Sequence, residues 1–306
     1  MDKRASLNSI PVLNPEEQHR HHFGHNRLWE KQLESGFHQF HINRIEEAKE
    51  LIRFPLSPHR KTTYDFIFLE AGSSKRSKGL NEYVFEAGTF FFLPARQITT
   101  HEYYSPDAKG FFCQFDGELL NSAYIQHNRI SDFPFLHYSG SPLVTTDAKT
   151  IPYLVNILNR LEDEYHHNRE NQLELYRLYL LTLFTELKRF NLPEANISNT
   201  AAMRITNDFK NSLARYIYDK QKVAEYATLL GLTPNHLNKC VKTATGKTAQ
   251  ELLNEMLLLE AKVLLKQTSL NINEIAYRIS KQDPSNFGRF FKTKTGVTPV
   301  DYRRMD

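Results

Sequence analysis

One pattern is written twice in the last hundred residues of this 306-residue chain. The first copy reads Ala227-x-x-Leu230-Gly231-Leu232-Thr233-Pro234-Asn235-His236-Leu237, then Val241-Lys242 and Thr245-Gly246-Lys247-Thr248. The second reads Ala276-x-x-Ile279-Ser280-Lys281-Gln282-Asp283-Pro284-Ser285-Asn286-Phe287, then Phe291-Lys292 and Thr295-Gly296-Val297-Thr298. From Leu237/Phe287 through Thr248/Thr298 the copies stand 50 positions apart, and only the preceding turn differs, by one residue. A supersecondary unit repeated in this way predicts two helical modules.

Each copy reads as helix, tight turn, helix. Apolar residues recur on one face of 222–230 (Val223, Tyr226, Ala227, Leu230) and of 274–279 (Ile275, Ala276, Ile279), the stripe of a helix lying on a core. Thr233-Pro234 and Asp283-Pro284 each put a capping side chain before a proline at the first helical position, where its missing N–H costs nothing. The second helices carry a sparse apolar seam (Leu237, Val241; Phe287, Phe291) and end at Gly246 or Gly296, the expected C-caps. Their other face is polar: Asn235, Asn238, Lys239 and Lys242 in one copy, Ser285, Asn286, Arg289 and Lys292 in the other. This is the layout of a helix-turn-helix recognition helix, whose early exposed residues reach base edges in the major groove. The two units are placed at about 222–245 and 272–295.

One long helix is expected between them. Thr248-Ala249-Gln250-Glu251 is a capping-box start. Leu252, Leu253, Met256, Leu259, Leu264 and Leu265 then continue an apolar face as far as Gln267. Asn271-x-x-Glu274 opens the second module in the same manner. A stiff connector would space two reading heads for successive major-groove faces, which lie about 34 Å apart.

Residues 203–306 thereby resemble the DNA-binding domain of AraC-type transcription regulators. The second copy carries the likeness almost end to end: Glu274-Ile275-Ala276-Tyr277, Asp283-Pro284-Ser285-Asn286-Phe287, Arg289-x-Phe291-Lys292, Gly296-x-Thr298-Pro299 and Tyr302-Arg303. There is one departure: Ser280-Lys281 stands where the family usually has glycine and an aromatic residue. A turn without glycine costs more at positive φ, so the second module is expected to be less stable or differently seated. The resemblance implies double-stranded DNA as partner, with RNA polymerase added if the protein activates transcription.

At this length the chain is expected to hold two domains, each large enough for its own core. Residues 201–306 carry 17 Lys and Arg against 10 Asp and Glu, a net of +7, while the rest carries 22 against 25. The positive charge thus falls where phosphates would be met. No apolar run approaches a membrane span, and the polar start after Met1-Asp2-Lys3-Arg4 lacks a signal-peptide core. Cys113 and Cys240 are isolated from each other, as in a reduced, cytoplasmic protein.

Residues 1–35 are polar, with His19, His21, His22 and His25 clustered. Imidazole is a common metal ligand, but no partner follows at a recognisable spacing. A loose N-terminal arm is expected, with no metal and no cofactor.

Residues 36–145 read as short strands. Tyr64–Leu69, Tyr83–Phe85, Thr89–Leu93 and Gly110–Phe115 are aromatic and β-branched, bounded by Gly, Pro and Ser turns, which suggests a barrel or jelly roll. The stretch resembles the cupin-like effector domain that precedes AraC-type DNA-binding domains, on Pro58-His59-Arg60, the Glu70-Ala71-Gly72 turn and Glu86-Ala87-Gly88-Thr89. That resemblance implies a small-molecule effector inside the barrel, with His59, Arg60, Tyr64, Arg96 and His101 as candidate lining residues. A metal-dependent cupin enzyme is the rival reading. His59 is followed by Arg60 and Lys61 rather than by a second histidine, and adjacent bases oppose a cation. No catalytic motif appears elsewhere, so no catalytic residue is assigned.

Residues 146–191 turn helical, with Ile151, Leu154, Val155, Leu158 and Leu161 followed by Leu173, Leu175, Leu178, Leu181, Phe184 and Leu187. A helical hairpin with a polar joint at His166-His167-Asn168-Arg169 fits. It would either pack on its own barrel or pair two subunits through residues 150–190. Residues 192–202 read as a linker. The expected architecture is multidomain α+β: a cupin-like barrel with helical hairpin, then an all-α double helix-turn-helix domain.

The expected function is sequence-specific regulation of transcription, with a non-specific architectural DNA-binding protein as a further rival. Arg289 is the expected guanine reader, and Asn235, Asn238 or Asn286 an adenine reader. Thr233, Lys239, Lys242 and Lys292 are assigned to phosphates, and His236 and Ser285 complete the exposed set.

Overall fold

The computed structural model describes residues 10–23, 37–121, 129–138, 140–167, 173–190, 201–280 and 284–305. They fall into two compact units, one within Val12–Ile197 and the other within Ser198–Asp306, the latter grouped with residues 10 and 11.

The first unit is built on two five-stranded sheets. One has the order β1 (Val12–Leu13), β3 (Leu56–Lys61), β8 (Thr99–Tyr104), β5 (Ser73–Lys78), β6 (Asn81–Glu86). The other has the order β10 (Leu143–Thr145), β7 (Thr89–Leu93), β4 (Tyr64–Ala71), β9 (Lys109–Phe115), β2 (Phe40–Arg44). Neighbouring strands are antiparallel except β1 and β3.

The second sheet is buried on both faces, which explains its unbroken apolar runs. Side chains alternate across a strand. Ile67, Leu69, Phe91 and Leu93 therefore point toward Phe85 in one cluster, while Phe66, Phe68, Phe90, Phe92, Cys113 and Phe115 belong to the other. Two helices cover this outer side, α3 (Ile151–His167) and α4 (Leu173–Lys188), through Leu154, Leu158, Leu161, Leu180, Leu183, Phe184 and Leu187. Two shorter helices, α1 (Pro15–Phe23) and α2 (Ile45–Ala48), precede them in the chain. The Phe184 ring is a hub, its centroid 5.4–6.2 Å from those of Phe66, Phe92, Phe115, Phe133 and Phe135. Burying one such ring stabilises by about 1.5–3 kcal/mol. The hairpin thus closes its own chain's core. Part of its polar joint, from residue 168, lies outside the described residues.

Of the expected N-terminal arm, residues 1–9 and 24–35 lie outside the described residues, and the described part includes helix α1. Within residues 10–23, α1 has Pro15, Gln18 and His19 buried. Asn14 and Glu17 cap it reciprocally, at 2.9 Å in both directions. Polarity alone predicts an arm, but His19 and His22 line the cavity of this unit.

The second unit holds seven helices among the described residues: α5 (Ala201–Tyr216), α6 (Val223–Leu229), α7 (Pro234–Thr245), α8 (Ala249–Gln267), α9 (Ile272–Ser280), α10 (Pro284–Thr295) and α11 (Pro299–Arg304). Helix α5 buries Phe209 and Leu213 and packs on α6, α7 and α8. Helix α8 is shared: α6 and α7 lie on it, and so do α9 and α11. It is capped by Thr248, whose Oγ1 accepts from Glu251 N at 3.2 Å while Glu251 Oε2 accepts from Thr248 N at 2.6 Å. Its 19 residues make a rod about 28 Å long.

Candidate functional site

Helices α7 and α10 are the same length and occupy positions 50 apart, and their ends are built alike. Gly246 and Gly296 take left-handed φ of 74° and 81°, the conformation a helix C-cap asks for and glycine adopts without penalty. Thr245 Oγ1 donates to Val241 O at 2.8 Å and accepts from Lys247 N at 3.2 Å. Thr295 repeats both bonds, to Phe291 O at 2.9 Å and from Val297 N at 3.4 Å. Thr248 and Thr298 then cap the next helices, each accepting a backbone N–H at 3.2 Å.

Burial sorts the two faces. Leu237, Val241, Phe287 and Phe291 are inside. Thr233, Asn235, His236, Lys239, Lys242, Ser285, Asn286, Arg289 and Lys292 are exposed. Every outward residue of α7 has an outward counterpart on α10: Asn235 with Ser285, His236 with Asn286, Lys239 with Arg289, Lys242 with Lys292. Thr233 is also a structural residue, its hydroxyl accepting from His236 N at 3.2 Å.

Asn238 differs from this set. It is half-buried, and its Oδ1 accepts from Ala249 N at 3.0 Å, tying α7 to the start of α8. An adenine edge would have to displace that bond. Fifty residues on, the corresponding pair is Gly288 and Pro299: one has no side-chain acceptor, the other no N–H to donate. The bond is present in one copy, and both of its halves are missing in the other. Lys281–Asp283, which with Ser280 form the departure from the family pattern and its neighbouring cap, lie outside the described residues.

The C-terminal signature residues have structural work. Tyr302 packs on Phe291 with centroids 5.4 Å apart. Arg303 donates to Leu265 O at 3.1 Å and to Leu270 O at 2.5 Å, meeting carbonyls at and just beyond the end of α8 that a helix terminus leaves unpaired.

In the first unit a cavity opens between the sheets and α1. Of the five residues expected to line it, His59 and His101 do. Arg60, Tyr64 and Arg96 do not. Arg60 lies on the opposite face of β3 from His59 and donates to Arg96 O at 2.8 Å, and Tyr64 stacks on Phe115 at 5.6 Å. Residues the sequence did not single out as pocket residues complete the wall, among them His22, His41, Lys61, Arg76, Tyr104 and Gln114. Lys61 was legible in principle, two positions from His59 on the same side of a strand. Arg76 gave no local signal.

The cavity's electrostatics centre on Asp65. It accepts from both Nη atoms of Arg76, at 2.6 and 3.1 Å, and pairs with Lys61. All three are buried. Burial pushes the Lys61 amine down to about 7, against the opposing pull of Asp65. Burial also lowers the imidazoles of His22, His59 and His101, with Lys61 and Arg76 adding to the shift. One carboxylate thus answers two bases.

An exposed polar helix face, paired with a second copy on one helical scaffold, defines a DNA-binding protein of the helix-turn-helix class. Residues 226–305 match the family described as a helix-turn-helix domain. Over 123 residues the chain is 26% identical to an uncharacterized HTH-type transcriptional regulator, YisR of Bacillus subtilis, covering 40% of this chain and 43% of that one. It is 22% identical over 275 residues to the HTH-type transcriptional activator RhaS of Enterobacter sp., covering 85% and 91% of the two chains. Among solved structures, ToxT of Vibrio cholerae aligns over 87% of this chain and 97% of its own at 17% identity, with a TM-score of 0.35. Residues 226–305 are thus a helix-turn-helix domain, and the chain is similar over most of its length to HTH-type transcriptional activators. Among the described residues no helix is long and apolar enough to cross a membrane.

Proposed function

We propose that this regulator reads a bipartite DNA site with α7 and α10 and answers to a small anionic effector held in the cavity of its first unit. The observation that carries the reading is the duplicated outward face: matched polar positions, 50 residues apart, on two helices of equal length. Arg289 takes a guanine edge, and Asn235 and Asn286 are the adenine readers. Lys239, Lys242 and Lys292, with Thr233, hold phosphates, and His236 and Ser285 fill the remaining contact positions. Asn238 serves α8 rather than a base. The effector is anionic because Lys61 and Arg76 share a single carboxylate inside the cavity.

On this reading the protein acts in the cytoplasm and contacts RNA polymerase when it activates. Two copies pair through the outer side of the 150–190 hairpin, where Tyr153 is 70% and Leu178 51% exposed. Genomic fragments selected by the purified full chain at physiological salt, then sequenced, test the reading. Recovery of a few sites, each spanning two neighbouring major-groove segments, supports it. Uniform recovery with and without cell-extract small molecules would instead favour an architectural DNA-binding protein.

A further inference from the structure

Two adjacent histidines and a third far from them in sequence meet beside the cavity, which His22 and His59 line. Helix α1 supplies His21 and His22, and β3 supplies His59. One ring nitrogen from each lies within 4.8 Å of the other two. The ring centroids are 4.8 Å (His21–His59), 5.5 Å (His22–His59) and 5.8 Å (His21–His22) apart.

Packing alone gives no reason for the state of their nitrogens. His21 Nδ1, His22 Nε2 and His59 Nε2 are each buried without a hydrogen-bond partner, whereas most buried polar atoms find one. Three such atoms in one place ask for a shared partner. The opposite nitrogens of two of the rings are held by the same residue. His59 Nδ1 donates to Ser57 O at 2.8 Å, and His21 Nε2 lies 3.2 Å from Ser57 Oγ. A backbone carbonyl on Nδ1–H fixes the tautomer that turns the Nε2 lone pair outward, the support that metal-binding histidines receive.

We propose that His21, His22 and His59 form a three-imidazole site for one divalent zinc-like ion, its fourth position facing the cavity. The donor set selects the class: three imidazoles without thiolate or an all-oxygen shell suit zinc and its borderline neighbours rather than magnesium or calcium. Zn–N bonds of about 2.0–2.1 Å put tetrahedral nitrogens about 3.3 Å apart, so the rings close on the ion by small rotations. Nearby Lys61 and Arg76 oppose a bare dication. The same two bases favour an anion as fourth ligand, so the site and the proposed anionic effector support each other. The ion would also fasten α1 to β3 beside the cavity.

The test uses untagged full-length protein stripped with a chelator, then titrated with zinc against a chromophoric competitor and with cobalt(II) as a spectroscopic probe. The expected result is one equivalent per chain and an intense visible cobalt spectrum. His21→Ala, at a half-buried position that should leave folding intact, lowers zinc affinity at least tenfold, and His22→Ala and His59→Ala do so as strongly. His38→Ala, at an exposed histidine beside Glu16, leaves affinity unchanged. Circular dichroism confirms that each variant is folded, and cobalt binding by the unmodified chain is read independently of any variant. Failure of the parent protein to compete for zinc overturns the proposal, as does unchanged zinc affinity and cobalt spectrum in the His21/His22/His59 triple variant.

Discussion

The two halves of this chain keep their polar residues in opposite ways. In the helical unit many sit outside or at helix ends, and the caps are answered by residues close in sequence: Thr248 by Glu251, Asn271 by Glu274, Thr298 by Asp301. In the β unit they sit inside and are answered from far away: Asp65 by Arg76, His41 by Tyr165, Ser74 by His101. Helical signals are local because capping closes within one turn. The interior of a sandwich is assembled by strands that meet only after folding, so its polar partners carry no common spacing. The difference teaches where function can be read directly and where it has to be built first.

The largest effect should come from breaking the interior of the β unit. Asp65→Asn leaves Arg76 and Lys61 buried without a countercharge and is expected to cost about 3–5 kcal/mol. The loss should appear as an early unfolding transition of that unit in denaturant, and an unshifted transition would show that Asp65 is not its keystone. A second way to separate the halves is acid. Burial holds His41 neutral, with its pKa down to about 3. The unfolded chain therefore binds the extra proton between pH 6.5 and 3, and stability falls as pH drops through that window with no slope above it. With chelator present, His41 alone should account for a loss on the order of 3 kcal/mol by about pH 4, and His41→Gln should reduce the slope by that share. A slope identical to the parent's would mean that other groups dominate.

On the helical side the effects are smaller and position-specific. Arg289→Ala is expected to weaken binding by about 1–3 kcal/mol at one base position only, measured on operator variants. Equal weakening on every sequence would reassign Arg289 to a phosphate. Thr248→Ala or Thr298→Ala should each cost about 1 kcal/mol of helical-unit stability, and a marked asymmetry between them would show that the copies are unequal partners on α8. The smallest change is Lys292→Ala, which should reduce the salt slope of DNA binding by about one unit. Titration of binding against salt would expose an unchanged slope and remove its phosphate role.

The comparison between copies shows how much of the candidate interface was legible. Both recognition helices, the Thr233 cap, the two glycine C-caps and the exposed faces follow from proline, glycine, threonine and a 3.6-residue stripe. Asn238 was the exception. Its type and position suit an adenine edge, but it caps α8 through Ala249 N. Only the contact itself, or the joint replacement of both partners by Gly288 and Pro299, reveals that task.

The sequence by itself determined the repeat, the helical modules, the basic balance of the last hundred residues and the strand-rich character of the middle. These rest on periodicity and on caps that close within a few residues. Tertiary structure decided what lines the cavity, that α1 belongs to the barrel, and that the hairpin completes its own chain's core. It also decided that His21 and His22 stand beside His59, 37 positions on from His22. Those outcomes depend on which strand face turns inward and which segments become neighbours, and a one-residue change of register would reverse every one of them.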